Sequence, residues 1–292
     1  MSRETEYYIS ANEDGFHKVA YHIWGPEDGT PLVAVHGLTC NGRDFGPLAR
    51  TLAEDGIRFI AIDLPGRGKS DTLEDHNNYN QLQYIADITG LLTHLGYMQP
   101  QAIDWLGVSL GGLLGMILAS LPESPVRRLI LNDIGPEIPP DFLAVLKKTF
   151  HEPHIFNSQH DLTHTLRTVT RASWGKLDDD HWREMGINNT WFAKDDTFTF
   201  AFDHAIIKPF TAIKPDEPVP TLWPCWEAIT CPTLVLQGEE SIVLPRDLIK
   251  KMRESGPAFD FHSFRDCGHV PSLIPEHQKD VVRQWLKNTP TS

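Results

Sequence analysis

The amino-acid sequence predicts an α/β fold, in which a mostly parallel β-sheet is covered by helices on both faces. Three observations support this class. Short, continuously apolar runs recur along the chain, helical patterns separate them, and this alternation stops over residues 138–225 before it resumes. Strands that are apolar throughout are typical of a sheet that is buried on both faces, and helices commonly connect parallel strands.

Seven runs are predicted to be strands, most of them because they are apolar almost throughout, and the first because its residues alternate in polarity. Five precede the interruption and two follow it: residues 17–25, 30–37, 57–66, 101–109, 126–135, 231–238 and 259–269. Apolar residues at helical spacing predict the helices that lie between and after these strands. Those helices are expected over residues 45–56, 79–96, 111–121 and 275–288.

The interruption at residues 138–225 differs in character from the rest of the chain. It contains polar helical patterns and a Phe-rich stretch at residues 197–202. We therefore predict that residues 138–225 form a mainly helical cap, or lid, inserted into one core domain. The core domain would consist of residues 1–137 and 226–292.

Composition and charge argue against several classes of function. The formal net charge of −13, from 26 basic and 39 acidic residues, disfavours binding to nucleic acid or to anionic membranes. The longest apolar stretches are shorter than the ~20 residues of a membrane span, and the polar N-terminus is unlike a secretory signal. We expect a cytoplasmic protein, a monomer or homodimer, that acts on a small molecule.

The strongest motif is the sequence Gly107-Val108-Ser109-Leu110-Gly111, a G-x-S-x-G between a predicted strand and a predicted helix. A sharp strand-to-helix turn of this kind holds its serine in a strained conformation and exposes the hydroxyl above the sheet. Ser109 is therefore the predicted nucleophile.

The base and the oxyanion donors are predicted from neighbouring loops. His269 follows the last predicted strand, and histidine has the unperturbed pKa that suits a general base. His36, which ends another strand, is predicted to hold its loop by hydrogen bonding instead. The backbone N–H groups of Leu38 and Leu110 are the expected donors to a developing oxyanion.

With these residues placed, the chain resembles the α/β-hydrolase superfamily, in its cap-bearing, esterase-like branch. The matching segments occur in family order along almost the whole chain: VHGLTCNGRDF, AIDLPGRGKSD, GVSLGG, LNDIGP, CPTLVLQG and GHVPSL. The resemblance implies an eight-stranded sheet, a cap inserted after the sixth strand, and a Ser–acid–His triad that uses no metal or organic cofactor. Serine at 109 is unlike haloalkane dehalogenases and epoxide hydrolases, whose family nucleophile is aspartate.

The triad acid is the point at which the sequence departs from the family pattern. In this branch a loop after the strand ending at Gly238 commonly carries an aspartate directly after a serine, but here Ser241 is followed by Ile242. Three alternatives remain open. The acid is Asp133, at the end of an earlier strand as in some relatives; it is Glu239 or Glu240; or the triad is impaired.

These observations predict a serine hydrolase that cleaves a small carboxylic ester or related acyl compound through an acyl-enzyme. Hydrolysis of a lactone or of a C–C bond would use the same groups, and the sequence does not separate these reactions. A ligand-binding protein on a hydrolase scaffold is the alternative outside enzymes, and Ile242 favours it.

Overall fold

A computed structural model of the chain describes residues 4–150, 152–193, 195–211 and 220–290. Within these ranges the strands lie as follows: β1 (Glu4–Asn12), β2 (Gly15–Trp24), β3 (Thr30–Val35), β4 (Ile57–Ile62), β5 (Ile103–Val108), β6 (Val126–Asn132), β7 (Ile155–Phe156), β8 (Thr190–Phe192), β9 (Phe198–Phe200), β10 (Thr233–Gly238) and β11 (Phe259–Phe264).

The helices cover both faces of the sheet or belong to the segment between β6 and β10. Their bounds are α1 (Gly46–Glu54), α2 (Gln81–His94), α3 (Leu110–Ala119), α4 (Pro140–Thr149), α5 (Gln159–Trp174), α6 (Asp179–Asn188), α7 (Lys208–Thr211), α8 (Trp223–Ala228), α9 (Arg246–Glu254) and α10 (Glu276–Asn288). Short 3₁₀ helices occur at Gly42–Phe45, His76–Asn78 and His204–Ile207.

Eight strands form one sheet in the order β1-β2-β4-β3-β5-β6-β10-β11. The β1–β2 and β2–β4 pairs are antiparallel and the five remaining neighbouring pairs are parallel. This is the α/β-hydrolase fold, so the predicted fold class is confirmed. Because β3, β5, β6, β10 and β11 are parallel, the loops that follow them meet at one edge of the sheet, where open α/β sheets bind ligands.

The core lies on both faces of the sheet, as the continuously apolar strands predicted. Successive residues of β3 alternate between two clusters of buried side chains, with Val33 and Val35 in one and Leu32 and Ala34 in the other. This alternation follows from the two-residue period of a strand. Both faces of the central strands therefore exclude water, and the sheet can hold the loops at its edge rigidly.

The N-terminal strand β1 was not predicted from the sequence. It pairs with β2 along its whole length, yet most of its side chains are exposed and Tyr8 is buried. An edge strand of this kind is held by backbone hydrogen bonds to one neighbour and carries little apolar signal. Because its sequence is mainly polar, β1 lacks the apolar pattern from which the other strands were predicted.

The segment between β6 and β10 contains five helices, α4 to α8, among its described residues. It also contains a three-stranded antiparallel sheet in the order β7-β9-β8, and the Phe-rich stretch supplies β9. The sequence predicted the helical character of this segment but not this small sheet. The packing of α5 on α6 includes stacked rings of Trp174 and Trp182, whose centroids are 5.8 Å apart.

Candidate active site

Ser109 lies between β5 and α3, at a turn where glycine is required on both sides. Its φ of 49° is in the left-handed region, which non-glycine residues rarely occupy. A Cβ at Gly111 would lie 2.0 Å from the Val35 carbonyl oxygen, and one at Gly107 would lie 2.3 Å from the Gly111 carbonyl oxygen. The two glycines of the motif therefore allow α3 to begin directly against β3 and β5, with Ser109 at the apex of the turn.

We expect Gly111→Ala to destabilise the protein by about 3 kcal/mol, because the new methyl group can be accommodated only if α3 moves away from β3. Urea unfolding of the purified variant measures this loss. Gly90→Ala in α2 is the matched control, since its Cβ would approach only the edge of the Tyr8 ring, at 3.2 Å. Equal stability of Gly111→Ala and the wild-type protein would contradict this account of the motif.

His269 lies in the loop after β11 and contacts two of the predicted site residues. Its Nε2 is 3.0 Å from the Ser109 Oγ, and its Nδ1 is 2.7 Å from the Asp133 Oδ2. The Asn132 side chain donates a hydrogen bond to the Pro271 carbonyl oxygen at 2.8 Å, which ties this loop to the end of β6. The Phe142 ring in α4 packs against the imidazole in a T-shaped arrangement, with the ring centroids 5.1 Å apart. The structure therefore brings Ser109, His269 and Asp133 into one hydrogen-bonded row.

Asp133, directly after β6, is fully buried and surrounded by hydrogen-bond donors. Its Oδ1 accepts from the Gly238 N–H at 2.9 Å, and its Oδ2 accepts from the Ser241 hydroxyl at 2.6 Å. Its backbone N–H donates to the Leu236 carbonyl oxygen at 2.9 Å, which holds the residue against β10. These contacts fix the position of the Asp133 carboxyl group, whose Oδ2 lies within hydrogen-bond distance of the His269 Nδ1.

The two glutamates that the sequence offered as alternative acids point away from this row. Glu239 is exposed and accepts a hydrogen bond from the Arg246 guanidinium at 3.0 Å. Glu240 is exposed as well, and so is Ile242. Ser241 is the residue of this loop that turns inward, where it contacts Asp133. The loop that carries the acid in relatives here supplies a hydroxyl donor to a carboxylate on the neighbouring strand.

Replacing Ser241 with alanine is expected to cost about 3 kcal/mol of stability and to lower kcat about tenfold. The Ser241 Oγ also accepts from the buried N–H groups of Val243 and Leu244, each at 3.1 Å, and both would lose their acceptor. Chemical denaturation and ester kinetics measure the two effects. Ser263→Ala, which removes one hydrogen bond to Gln237, is the control. A loss no larger than that of the control would contradict this role.

His36 is buried and both of its ring nitrogens are engaged with the backbone. Its Nδ1 donates to the Gly37 carbonyl oxygen at 2.7 Å, and its Nε2 accepts from the Leu64 N–H at 3.0 Å. Burial lowers the pKa of this imidazole to about 4. The neutral ring therefore joins the loop after β3 to the loop after β4, the structural role that the sequence favoured.

The predicted oxyanion donors lie on the loop after β3 and at the first residue of α3, on either side of the serine. Leu110 is the first residue of α3, and Leu38 lines the same cavity as Ser109. The loop after β3, which contains Leu38, passes close to the nucleophile, since a Cβ at Gly37 would lie 3.7 Å from the Ser109 Cβ. The Arg67 Nε donates to the Leu38 carbonyl oxygen at 3.0 Å and so fixes the loop. The donor roles of the Leu38 and Leu110 N–H groups stay predictions.

A cavity of about 200 Å³ extends from Ser109 and His269 toward α4 and α5. Apolar side chains from these helices form much of its wall, including Phe142, Leu146 and Trp174. The described residues that line it include no Asp, Glu, Lys or Arg, and His269 is the one histidine among them. Sequence analysis did not identify these wall residues, because their spacing is that of ordinary amphipathic helices.

Within the ranges that the structure describes, no group of three or more His, Cys, Asp or Glu residues is arranged to hold a metal ion. None of the helices in the same ranges has the length and apolar character needed to cross a bilayer.

Comparison with known proteins places this geometry in a family. A sequence profile described as the alpha/beta hydrolase family matches residues 32–284. A 3-hydroxybutyrate-oligomer hydrolase from Cupriavidus necator is 34% identical over 279 residues, which cover 93% of this chain and 94% of that protein. A 2-hydroxy-6-oxononadienedioate/2-hydroxy-6-oxononatrienedioate hydrolase from Klebsiella pneumoniae is 24% identical over 280 residues, or 91% of this chain and 89% of that protein.

Among solved structures, an alpha/beta hydrolase from Novosphingobium aromaticivorans superimposes with a TM-score of 0.85. That similarity covers 98% of this chain and 99% of the other, at 28% sequence identity. The sheet order, the family profile and these relatives agree, and the chain belongs to the α/β-hydrolase family.

Proposed function

We propose that this protein is a serine hydrolase that cleaves carboxylic esters through an acyl-enzyme intermediate. The observation that carries the proposal is the continuous row from the Ser109 Oγ to the His269 Nε2, at 3.0 Å, and from the His269 Nδ1 to the Asp133 Oδ2, at 2.7 Å. A nucleophile, a base and a group that orients the base are the parts that acyl transfer requires.

In the proposed mechanism, Asp133 accepts the hydrogen bond of the His269 Nδ1–H, so that Nε2 is free to accept the proton of the Ser109 hydroxyl. The Ser109 oxygen attacks the ester carbonyl carbon while His269 takes the proton, and the Leu38 and Leu110 N–H groups stabilise the oxyanion. The imidazolium then protonates the leaving alkoxide as the C–O bond breaks. Water, deprotonated by His269, attacks the acyl-enzyme and releases the carboxylic acid and Ser109.

Residues 138–225 act as the cap in this proposal, and residues 1–137 and 226–292 form the catalytic core. Support comes from α4 and α5, which lie in this segment and supply much of the cavity wall beside Ser109. Residues 151, 194 and 212–219 of the segment lie outside the described ranges. A cap of this kind would select the substrate, while the core would supply the chemistry.

The substrate that we propose is a short aliphatic hydroxyacid ester, such as an oligomer of 3-hydroxybutyrate. The relative from Cupriavidus necator, named as a hydrolase of such oligomers, matches this chain over nearly its full length. The cavity also favours it over the dienedioates of the C–C hydrolase relative. A dienedioate carries a carboxylate at each end, whereas a hydroxybutyrate oligomer carries only one, and the described cavity wall has no Arg or Lys to pair with the second.

A test combines covalent labelling with a substrate panel. We expect a fluorophosphonate probe to label the protein at Ser109, as located by mass spectrometry, and to abolish hydrolysis of p-nitrophenyl butyrate and of the 3-hydroxybutyrate dimer. A C–C ring-cleavage product should be turned over far more slowly than either ester. A protein that neither reacts with the probe nor hydrolyses an ester would instead be a ligand-binding relative, and the proposal would fail.

A further inference from the structure

A second, smaller cavity of about 40 Å³ adjoins the one that contains Ser109. The two cavities share Gly37, Cys40, Val108, Trp174 and Val270 in their walls. Val108 directly precedes Ser109 and Val270 directly follows His269, so the smaller cavity lies beside the reacting groups. Since a single water needs about 10–15 Å³ by the same measure, this space suits a group of about two or three non-hydrogen atoms.

The wall of the smaller cavity is mainly apolar, with Phe45, Met185 and Pro271 among its residues, but it also includes Asp44. Asp44 belongs to the 3₁₀ helix after β3 and is partly accessible, although burial raises the pKa of its carboxyl group to about 7. Asp44 is one of the residues that line the smaller cavity. An acidic side chain at the end of a small apolar cavity is unusual unless it meets a hydrogen-bond donor.

Two donors already hold the Asp44 carboxyl group in place. The Asn189 Nδ2 donates to Oδ1 at 2.8 Å, and the Asn41 N–H donates to Oδ2 at 3.3 Å. Asn189 itself lines the larger cavity, so this contact connects the two spaces. The two oxygens of a carboxyl group offer more acceptor positions than these two donors occupy, so Asp44 can accept at least one further hydrogen bond.

We propose that the smaller cavity is a subsite for a short, hydroxyl-bearing end of the acyl group, and that Asp44 accepts the hydrogen bond of that hydroxyl. This inference rests on the proposed function. A 3-hydroxybutyryl group fits the description. Its hydroxyl is on the second carbon beyond the reacting carbonyl, and the same carbon carries a methyl group. The apolar wall would contact the methyl group, and Asp44 would recognise the hydroxyl.

The same chemistry determines which end of an oligomeric substrate would enter the smaller cavity. The carboxylate end of a hydroxyacid oligomer would lie beside a carboxyl group in the smaller cavity, and the described residues of its wall include no Lys or Arg to compensate the charge. The hydroxyl end is therefore the one that enters, and the small volume admits a single unit. The rest of the oligomer occupies the larger cavity, and each turnover releases one hydroxyacid from the hydroxyl end.

The first experiment compares kcat/KM for p-nitrophenyl 3-hydroxybutyrate and p-nitrophenyl butyrate. We expect the wild-type protein to prefer the hydroxylated ester by at least about tenfold, the scale expected when the loss of one hydrogen bond leaves a buried polar group without its partner. Asp44→Ala should reduce this ratio to near one. Asp44 also caps its own 3₁₀ helix, but a purely structural role would lower both values and leave the ratio unchanged. Asp75→Ala, which removes the cap of another 3₁₀ helix, is the matched control.

The second experiment needs only the wild-type protein, so it remains decisive if Asp44→Ala does not fold. It uses a 3-hydroxybutyrate dimer whose hydroxyl is acetylated and another whose carboxylate is a methyl ester. We expect acetylation to lower kcat/KM at least about tenfold, because one donor is lost and bulk is added, and methyl esterification to change it less than about threefold. The reverse order, or equal effects, overturns the subsite.

These outcomes are separable from those of the proposed function. If the wild-type protein hydrolyses p-nitrophenyl butyrate through Ser109 but shows no preference for the 3-hydroxyl group, the subsite is wrong and the serine hydrolase proposal stands. If Ser109→Ala hydrolyses both esters as fast as the wild-type protein, the serine hydrolase proposal fails whatever the preference.

Discussion

Ser109→Ala is expected to lower kcat for p-nitrophenyl butyrate by about 10⁵-fold or more, the scale seen when the nucleophile of a catalytic triad is removed. The loss is large because His269, which lies 3.0 Å from the Ser109 Oγ, would have no hydroxyl to deprotonate. Substrate affinity should change little, since the cavity walls are left intact. Steady-state kinetics on protein freed of wild-type contamination measures both parameters.

Ser120→Ala is a suitable control for this experiment, because Ser120 lies at the opposite end of the same helix, α3. Its hydroxyl donates to the Ile117 carbonyl oxygen at 2.8 Å, well away from the cavity. We expect wild-type turnover from this variant. A Ser109→Ala protein that retains a tenth or more of wild-type activity would exclude Ser109 as the nucleophile.

Asp133→Asn is expected to produce the next largest effect, a loss of about 10⁴-fold in kcat, which is typical when the residue that orients the histidine becomes an amide. The asparagine would fit the same space, but its amide N–H₂ cannot accept the His269 Nδ1–H. The ring would then favour the tautomer whose Nε2 carries the proton, and Ser109 would lose its base. The pH–rate profile of the variant should show renewed activity only at high pH, where hydroxide can act.

Glu239→Gln and Glu240→Gln are the matched controls for Asp133→Asn. Both side chains are exposed, and Glu239 pairs with Arg246 on the surface of the loop, so each variant should retain near wild-type kcat. The comparison decides between the carboxylates that the sequence left open. A greater loss in either glutamine variant than in Asp133→Asn would reject the assignment of Asp133.

The fold was largely predictable because its main signals are local. Each of the seven predicted strands is present. The central strands were recognisable because a strand that is buried on both faces must be apolar along its length. Strand β1 was missed because its stability comes from pairing with β2, and the small β7-β9-β8 sheet because its strands have only two or three residues. Helix α9 was also not predicted.

The prediction of Ser109 and His269 rested on short stretches of chain whose local conformation is itself informative. The glycines around Ser109 are needed for the close approach of α3 to β3, so the five-residue motif itself indicates this packing. His269 was selected by its place after the last strand. In both cases the neighbours along the chain describe the environment of the side chain, which is why the sequence indicated these residues.

The proximity of Asp133 to His269 depends on the order of strands in the sheet. Asp133 follows β6 and Ser241 follows β10, more than a hundred residues later, and these strands are neighbours with Asn132 opposite Leu236. That register places the Asp133 carboxylate against the Gly238 N–H and the Ser241 hydroxyl. Glu239 and Glu240 are closer to the family position along the chain, but they turn outward.

The amino-acid sequence was thus sufficient for the α/β class, the serine turn and the candidate histidine, because short-range backbone and packing requirements specify each of them. It was insufficient to choose among Asp133, Glu239 and Glu240, or to find Asp44 beside the smaller cavity. Those features arise where segments distant in sequence meet, and the direction in which a loop side chain points is set by the strands and helices packed around it.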